Sequence, residues 1–259
     1  MQFVKEYEYF DKFLLKASRY SEFNDPFDLV QGDYAASLPK KERKEFYEAM
    51  EHLNDPLYHL ENYLDIEAGA RASIGVMCFT ESYKNLLMWA HYANNHTGVC
   101  VGYDYDCNFF HNKYSSNYYD NVGEIRKVTY TKKRPKYADP YHLVNETCEW
   151  FKKSKEWKYE EEHRILLPID DASYRDGWEN NVSPIFLFGI EPEYIKKVIL
   201  GCRMADENKK YIYEKLSSYD IQIIEAKPHP AHYKLTFSEY SLNNSSNSNV
   251  VYNLGMDIK

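Results

Sequence analysis

The residues best suited to chemistry lie in one stretch, Trp157-Lys-Tyr-Glu-Glu-Glu-His-Arg164, which runs straight into the apolar segment ILLPI. Three consecutive carboxylates stand between two large aromatics and an arginine. If a strand begins near Tyr159, alternation puts Glu160, Glu162 and Arg164 on one face. Tyr159, Glu161, His163 and Ile165 then point the other way. Two carboxylates and an arginine on one face form a self-neutralising row. Trp157 and Tyr159 beside them suit a groove for a planar or sugar-bearing ligand. A fixed carboxylate in such a groove would stabilise positive charge developing on a sugar ring. Alternatively, Asp25, Glu81, Glu160 and Glu162 could hold Mg²⁺ with several waters, as a nuclease would. Lys152, Lys153 and Lys155 lie close to the acids in sequence, but no D…ExK pattern is present.

Three further segments carry polar groups that a cleft could use. In Phe23-Asn-Asp-Pro-Phe-Asp28, Asn24 and Asp25 can fix a Pro26 turn through their own side chains, or Asn24 can offer an amide and Asp25 or Asp28 a carboxylate to a cleft. Thr80 and Glu81 end the apolar run IGVMCFT. In Met88-Trp-Ala-His-Tyr-Ala-Asn-Asn-His96, the residues His91, Tyr92 and His96 can face a ligand. The spacing of the two histidines is five, whereas a helical zinc pair needs i and i+4 on one face. No metal site is therefore predicted. The stretch Val198-Ile-Leu-Gly-Cys-Arg203 turns on a glycine into a helix, whose first amides could receive a phosphate beside Arg203.

Stepping from residues to elements, the pattern predicts strands over 13–18, 74–80, 98–104, 123–131, 163–169, 184–190, 198–203 and 221–227. Helices are predicted from Ser37 to the Asn54-Asp55-Pro56 turn, over 57–72, over 82–96 with Ser82 as cap, over 140–154 and over 205–219. The apolar strand 74–80 reads as central. Strands outnumber helices without regular alternation, so the fold class is α+β, a mixed or antiparallel central sheet with flanking helices. Residues 1–230 read as one such domain with a shortened N-terminal strand region. Residues 231–259, with the polar run SEYSLNNSSNSN, read as a weakly structured C-terminal extension.

Composition narrows the partners. The chain has 259 residues, a formal net charge of −8 and 26 tyrosines. That balance disfavours general nucleic-acid binding, despite the locally basic RKVTYTKKRPK. Tyrosine supplies contact area and hydrogen bonds at low entropic cost, which favours a small nucleotide-like ligand or a protein partner. The five cysteines include no CxxC pair, which argues against structural zinc. MQFVKEYEYF has charges where a signal peptide needs an apolar run, and no segment matches a membrane span. A reducing cytoplasm is the simplest compartment.

Together FNDPFD (23–28), CFTE (78–81), LLMWAHYANNHTGVCVGYD (86–104) and W-x-YE-x-E-x-R (157–164) resemble a family of bacterial proteins known as a domain of unknown function. The resemblance spans residues 10–225 and implies kinship rather than an activity. That family usually has a short aromatic strand and a helix well ahead of FNDPFD, where this chain has only MQFVKEYEYFDK. The E-x-E pair also resembles the signature of arginine-type mono-ADP-ribosyltransferases. That resemblance implies an ADP-ribosyltransferase-like fold and NAD as cofactor, while a binding or sensor module in a bacterial defence or regulatory setting is the non-catalytic expectation. Glu162 would hold a ribose hydroxyl and steady the oxocarbenium-like centre, and Glu160 would orient the acceptor. Arg19 is the nearest match to the basic residue such enzymes carry on their first strand. Transferase, Mg²⁺-dependent nuclease and non-catalytic binding module all remain open at this stage.

Overall fold

The computed structural model describes residues 9–29, 39–51, 72–112, 122–134, 150–176 and 185–242. In chain order these form α1 (Tyr9–Lys12), β1 (Leu14–Ala17), α2 (Lys40–Glu51), β2 (Ile74–Thr80), α3 (Leu86–Tyr92), β3 (Val99–Tyr103) and α4 (Asn108–His111). There follow β4 (Arg126–Lys127), β5 (Thr129–Thr131), β6 (Lys152–Ser154), β7 (Glu162–Pro168), β8 (Tyr174–Asp176) and β9 (Ile185–Gly189). The chain continues through β10 (Ile195–Leu200), α5 (Asp206–Leu216), β11 (Gln222–Pro228) and β12 (Leu235–Glu239). The class is α+β with mixed pairing. Instead of one central sheet, the described strands form sheets of three, four, three and two strands.

The chain divides into two compact units that interleave along the sequence. The first comprises residues 1–14, 82–105 and 189–259, and the second 15–81 and 106–188. In the first unit the sheet order is β12-β11-β10-β3, with β10 and β11 parallel and the other pairs antiparallel. β12 lies inside the segment expected to be weakly structured. It pairs with β11 over Ile224↔Glu239 to Pro228↔Leu235 and buries Leu235. Its period-2 pattern, Leu-Thr-Phe-Ser-Glu, is masked in the sequence by the polar run after it. Trp89 and Ala93 of α3 and its C-terminal turn pack with Ile199, Ile224, Ala226 and Leu235. Asn85 caps α3, its Oδ1 accepting from Leu87 N–H at 2.9 Å. Ser82 instead accepts from Lys84 N–H, so the helix is shorter than 82–96. Asn94, Asn95 and His96 all have positive φ and end it.

The second unit carries the chemistry. Its main sheet is β2-β7-β4, all antiparallel, with Thr80 opposite Glu162 and Cys78 opposite Arg164. The apolar β7, buried from Arg164 to Leu167, is the central strand. β2 is apolar but lies beside it, its outer side covered by a Ser18↔Val76 bridge. Val76, Leu166, Val122, Trp150, Phe151, Ile74 and Leu29 form the core of this sheet's face. The expected helix over 140–154 is replaced at its described end by β6, which pairs in parallel with β5. Residues 57–71, the Ser37 cap and 140–149 lie outside the described residues.

Candidate functional site

The alternation expected from Tyr159 does not hold. Residues 155–160 form a 3₁₀ helix, with Ser154 accepting from Glu156 N–H at its start. Glu161 closes it in the left-handed region, at φ 47° and ψ 47°. β7 begins one residue later. The left-handed step sends the Glu161 side chain to solvent and returns Glu160 and Glu162 to the same side. The grouping of Glu160, Glu162 and Arg164 therefore survives, through a turn rather than through strand pleating.

That side is neither a groove nor open surface. Glu160, Glu162 and Arg164 are buried, with exposures of 3%, 3% and 0%. Asp28 of the FNDPFD segment and Lys153 of β6 complete the cluster and are also buried. Arg164 Nε donates to Glu162 Oε1 at 2.5 Å, and Nη2 donates to Glu162 Oε2 at 3.0 Å and to Asp28 Oδ2 at 2.7 Å. Its Nη1 donates to the Trp150 carbonyl at 2.8 Å. Lys153 Nζ donates to Glu160 Oε2 at 2.6 Å and to Glu162 Oε2 at 3.1 Å, and lies 3.3 Å from Asp28 Oδ2. Glu162 N–H donates to the Tyr130 hydroxyl at 2.8 Å.

Three carboxylates thus face two cations in a dry setting. Such a cluster persists only if the charges are paired and hydrogen-bonded, because burying an unpaired charge costs several kcal/mol, on the order of 3–5 when a partner is lost. Burial disfavours the Glu162 carboxylate, but the charge and hydrogen bonds of Arg164, then Lys153, outweigh it and hold the group near a pKa of about 2. Burial likewise disfavours the Lys153 ammonium, yet Glu162, Asp28 and Glu160 keep it protonated far above the usual lysine range. Burial also disfavours the Arg164 guanidinium, but Cys78, Glu162 and Asp28 outweigh it and hold it charged.

Aromatics close the cluster. The Lys153 ammonium lies 5.0 Å from the Trp157 ring centroid, and the Arg164 guanidinium 5.7 Å from that of Phe23. Trp157 and Tyr159 lie together at 6.0 Å between centroids. The flanking aromatics that suggested a ligand groove thus cover ions. Cys78 borders the cluster with solvent-exposed surface. Burial and then the Glu162 charge nevertheless push its thiol well above the usual range.

The other candidates fall in separate places. Asp25 is buried and fixes its own turn, with Oδ1 accepting from Phe27 N–H at 2.9 Å, while Asn24 is exposed. Thr80 is half-buried across from Glu162. Glu81 is exposed and accepts from Lys127 Nζ at 2.5 Å, with His163 Nε2 at 3.6 Å. His91, Tyr92 and His96 belong to the first unit. His91 and Tyr92 are exposed on the last turn of α3, and the His96 ring stacks on Trp89 at 6.3 Å. Burial, then the Arg203 charge, lower the His96 pKa. Arg203 donates its backbone N–H to the His96 carbonyl. Among the described residues no group of three or more His, Cys, Asp or Glu side chains is arranged to hold a metal. Lys153 occupies the centre that a metal would take among Asp28, Glu160 and Glu162.

Lys153 and Asp28 are the members that sequence reasoning weighed least. Lys153 is one of three nearby lysines, and Asp28 lies 136 residues from its partner Arg164. A signal existed for Lys153: Lys153 and Phe151 share a parity beside Trp150, which buries one face of a short strand.

Residues 88–165 match a family model described as "Protein of unknown function (DUF2971)". The match covers less than half of the chain. It takes in α3, Lys153, Glu160, Glu162 and Arg164, and leaves FNDPFD and CFTE outside it. No curated protein and no solved structure matches the chain. No helix among the described residues is long and apolar enough to cross a membrane.

Proposed function

We propose that this protein is a non-catalytic module that binds a small ligand or a protein partner. The observation that carries this reading is the engagement of the E-x-E acids. Both oxygens of Glu162 accept from Arg164 or Lys153 in a buried position. A carboxylate so occupied serves as a structural anion, tying β7 to β6 and to the FNDPFD turn. Lys153 among the acids speaks against the nuclease reading for the same reason.

A second reading, the ADP-ribosyltransferase-like enzyme using NAD, is favoured by one feature. Thr80 at the end of β2 lies directly across from Glu162 at the start of β7. An opening of the cluster would be needed before Glu162 could face a ribose. One experiment separates the two. The full chain is screened by thermal shift against NAD, other nucleotides and Mg²⁺, and assayed for NAD glycohydrolysis, alongside Glu162→Gln. The binding-module reading expects a ligand-dependent rise in melting temperature and no NAD turnover. NAD turnover by the native chain that Glu162→Gln abolishes without unfolding it would overturn that reading in favour of the transferase.

A further inference from the structure

The β11–β12 hairpin of the first unit closes through Pro228-His-Pro-Ala-His-Tyr-Lys234. His229 N–H donates to the Lys234 carbonyl at 3.0 Å, and Lys234 N–H to the His232 carbonyl at 2.8 Å. Inside this frame the His229 ring turns back on the chain. Its Nδ1 accepts from Ala231 N–H at 3.0 Å and from His232 N–H at 3.1 Å. The imidazole thus acts as an Asx side chain does in a turn, satisfying two backbone donors at once. An acceptor at Nδ1 is an unprotonated nitrogen, so the ring is neutral and carries its hydrogen on Nε2. The His232 ring lies 4.7 Å away, tilted by 37°. Tyr233, the next residue, is fully exposed at the tip.

We propose that His229 is a pH-sensitive latch of this hairpin, holding the tip and its presented Tyr233 in place only while the imidazole is neutral. Protonation puts hydrogen on Nδ1. The two amides then face a donor instead of an acceptor, and the turn loses both bonds. The new cation also sits against His232. The charged or titratable groups that act on the ring are His232 and Lys234, both of the same hairpin. Desolvation, then these two neighbours, lower the His229 pKa from its usual value. The folded ring therefore takes its proton later than the unfolded one as pH falls. The latch is fully closed above the usual histidine value near 6.5 and opens as pH falls below it.

The test is a pH titration of the full chain from 7.5 to 5.0 by NMR, following the His229 ring nitrogens and the Ala231 and His232 amides. The Nε2–H tautomer is expected at pH 7.5. The two amides should shift together, with one midpoint below 6.5, and their protection against hydrogen exchange, taken relative to the intrinsic base-catalysed rate at each pH, should fall about tenfold through that midpoint. His229→Asn supplies a side-chain oxygen acceptor that does not titrate. It should keep the amides protected and abolish the pH dependence, whereas His229→Ala should leave them unprotected at every pH. An Nδ1–H tautomer at pH 7.5, amides indifferent to pH, or an unchanged titration in His229→Asn would each refute the latch.

Discussion

Arg164 donates to two carboxylates and a carbonyl from a fully buried position. Replacing it by Met keeps the volume and removes the charge, leaving Glu162, Glu160 and Asp28 with Lys153 alone. We expect Arg164→Met to cost roughly 3–5 kcal/mol in urea unfolding. Asp28→Asn should cost clearly less, because it removes one of three negative charges that face only two positive ones. The asparagine oxygen can still accept from Arg164. Equal costs for the two variants would show that packing rather than charge balance governs the cluster. At the residue scale, Trp157 and Phe23 supply ring faces to Lys153 and Arg164, an arrangement that residue types alone do not separate from a ligand cage.

At the scale of elements, the decisive feature is the left-handed Glu161 between the 3₁₀ helix and β7. Its side chain is exposed, so its backbone conformation can be tested with little other disturbance. Glycine adopts this conformation without the Cβ penalty, worth about 1 kcal/mol. Glu161→Gly should leave stability unchanged or raise it by up to about 1 kcal/mol, while Glu161→Val should lower it by about 1–2 kcal/mol. If the valine variant melts with the native chain, the turn is not under conformational constraint. The elements themselves were largely legible. β2, β3, β7, β9 and β11 follow apolar runs that the sequence displays openly, and α5 follows its 3.6-residue period. The apolar spacing predicts a helix that continues past Tyr92, but Asn94, Asn95 and His96 turn left-handed and end α3 there. At β6, three residues are too few for a strand period to declare itself.

For the molecule as a whole, the buried pairs link stability to pH. Glu162 has its pKa lowered from near 4.5 to about 2, so it binds a proton less readily folded than unfolded. Glu225 in the first unit is also shifted down: burial opposes its charge, and hydrogen bonds from Lys209 and Lys227 outweigh it. A group shifted down contributes stability that is complete above its unfolded pKa and is lost as pH falls through the folded one. Stability measured by urea at fixed temperature should therefore decline a little below about pH 6.5, where His96 and His229 are shifted down, and fall steadily as pH drops from 4.5 towards 2. In Glu162→Gln that acid slope should be shallower. A slope identical to the native chain's would mean that Glu162 is not ion-paired in solution.

The sequence by itself determined the α+β class, most strands, and the grouping of Glu160 and Glu162 with Arg164. Those follow from period, residue type and short spacing, which act over a few neighbouring residues. Only the tertiary structure decided that this face is closed. Asp28 reaches Arg164 across 136 positions of chain. Lys153 arrives from a strand whose partner is β5. A carboxylate row reads the same in sequence whether its counter-ions are a ligand, a metal or two side chains, because the charge that satisfies it comes from elsewhere in the chain. The fold supplied Lys153 and Asp28, and with them turned a chemically suggestive edge into the electrostatic centre of the second unit.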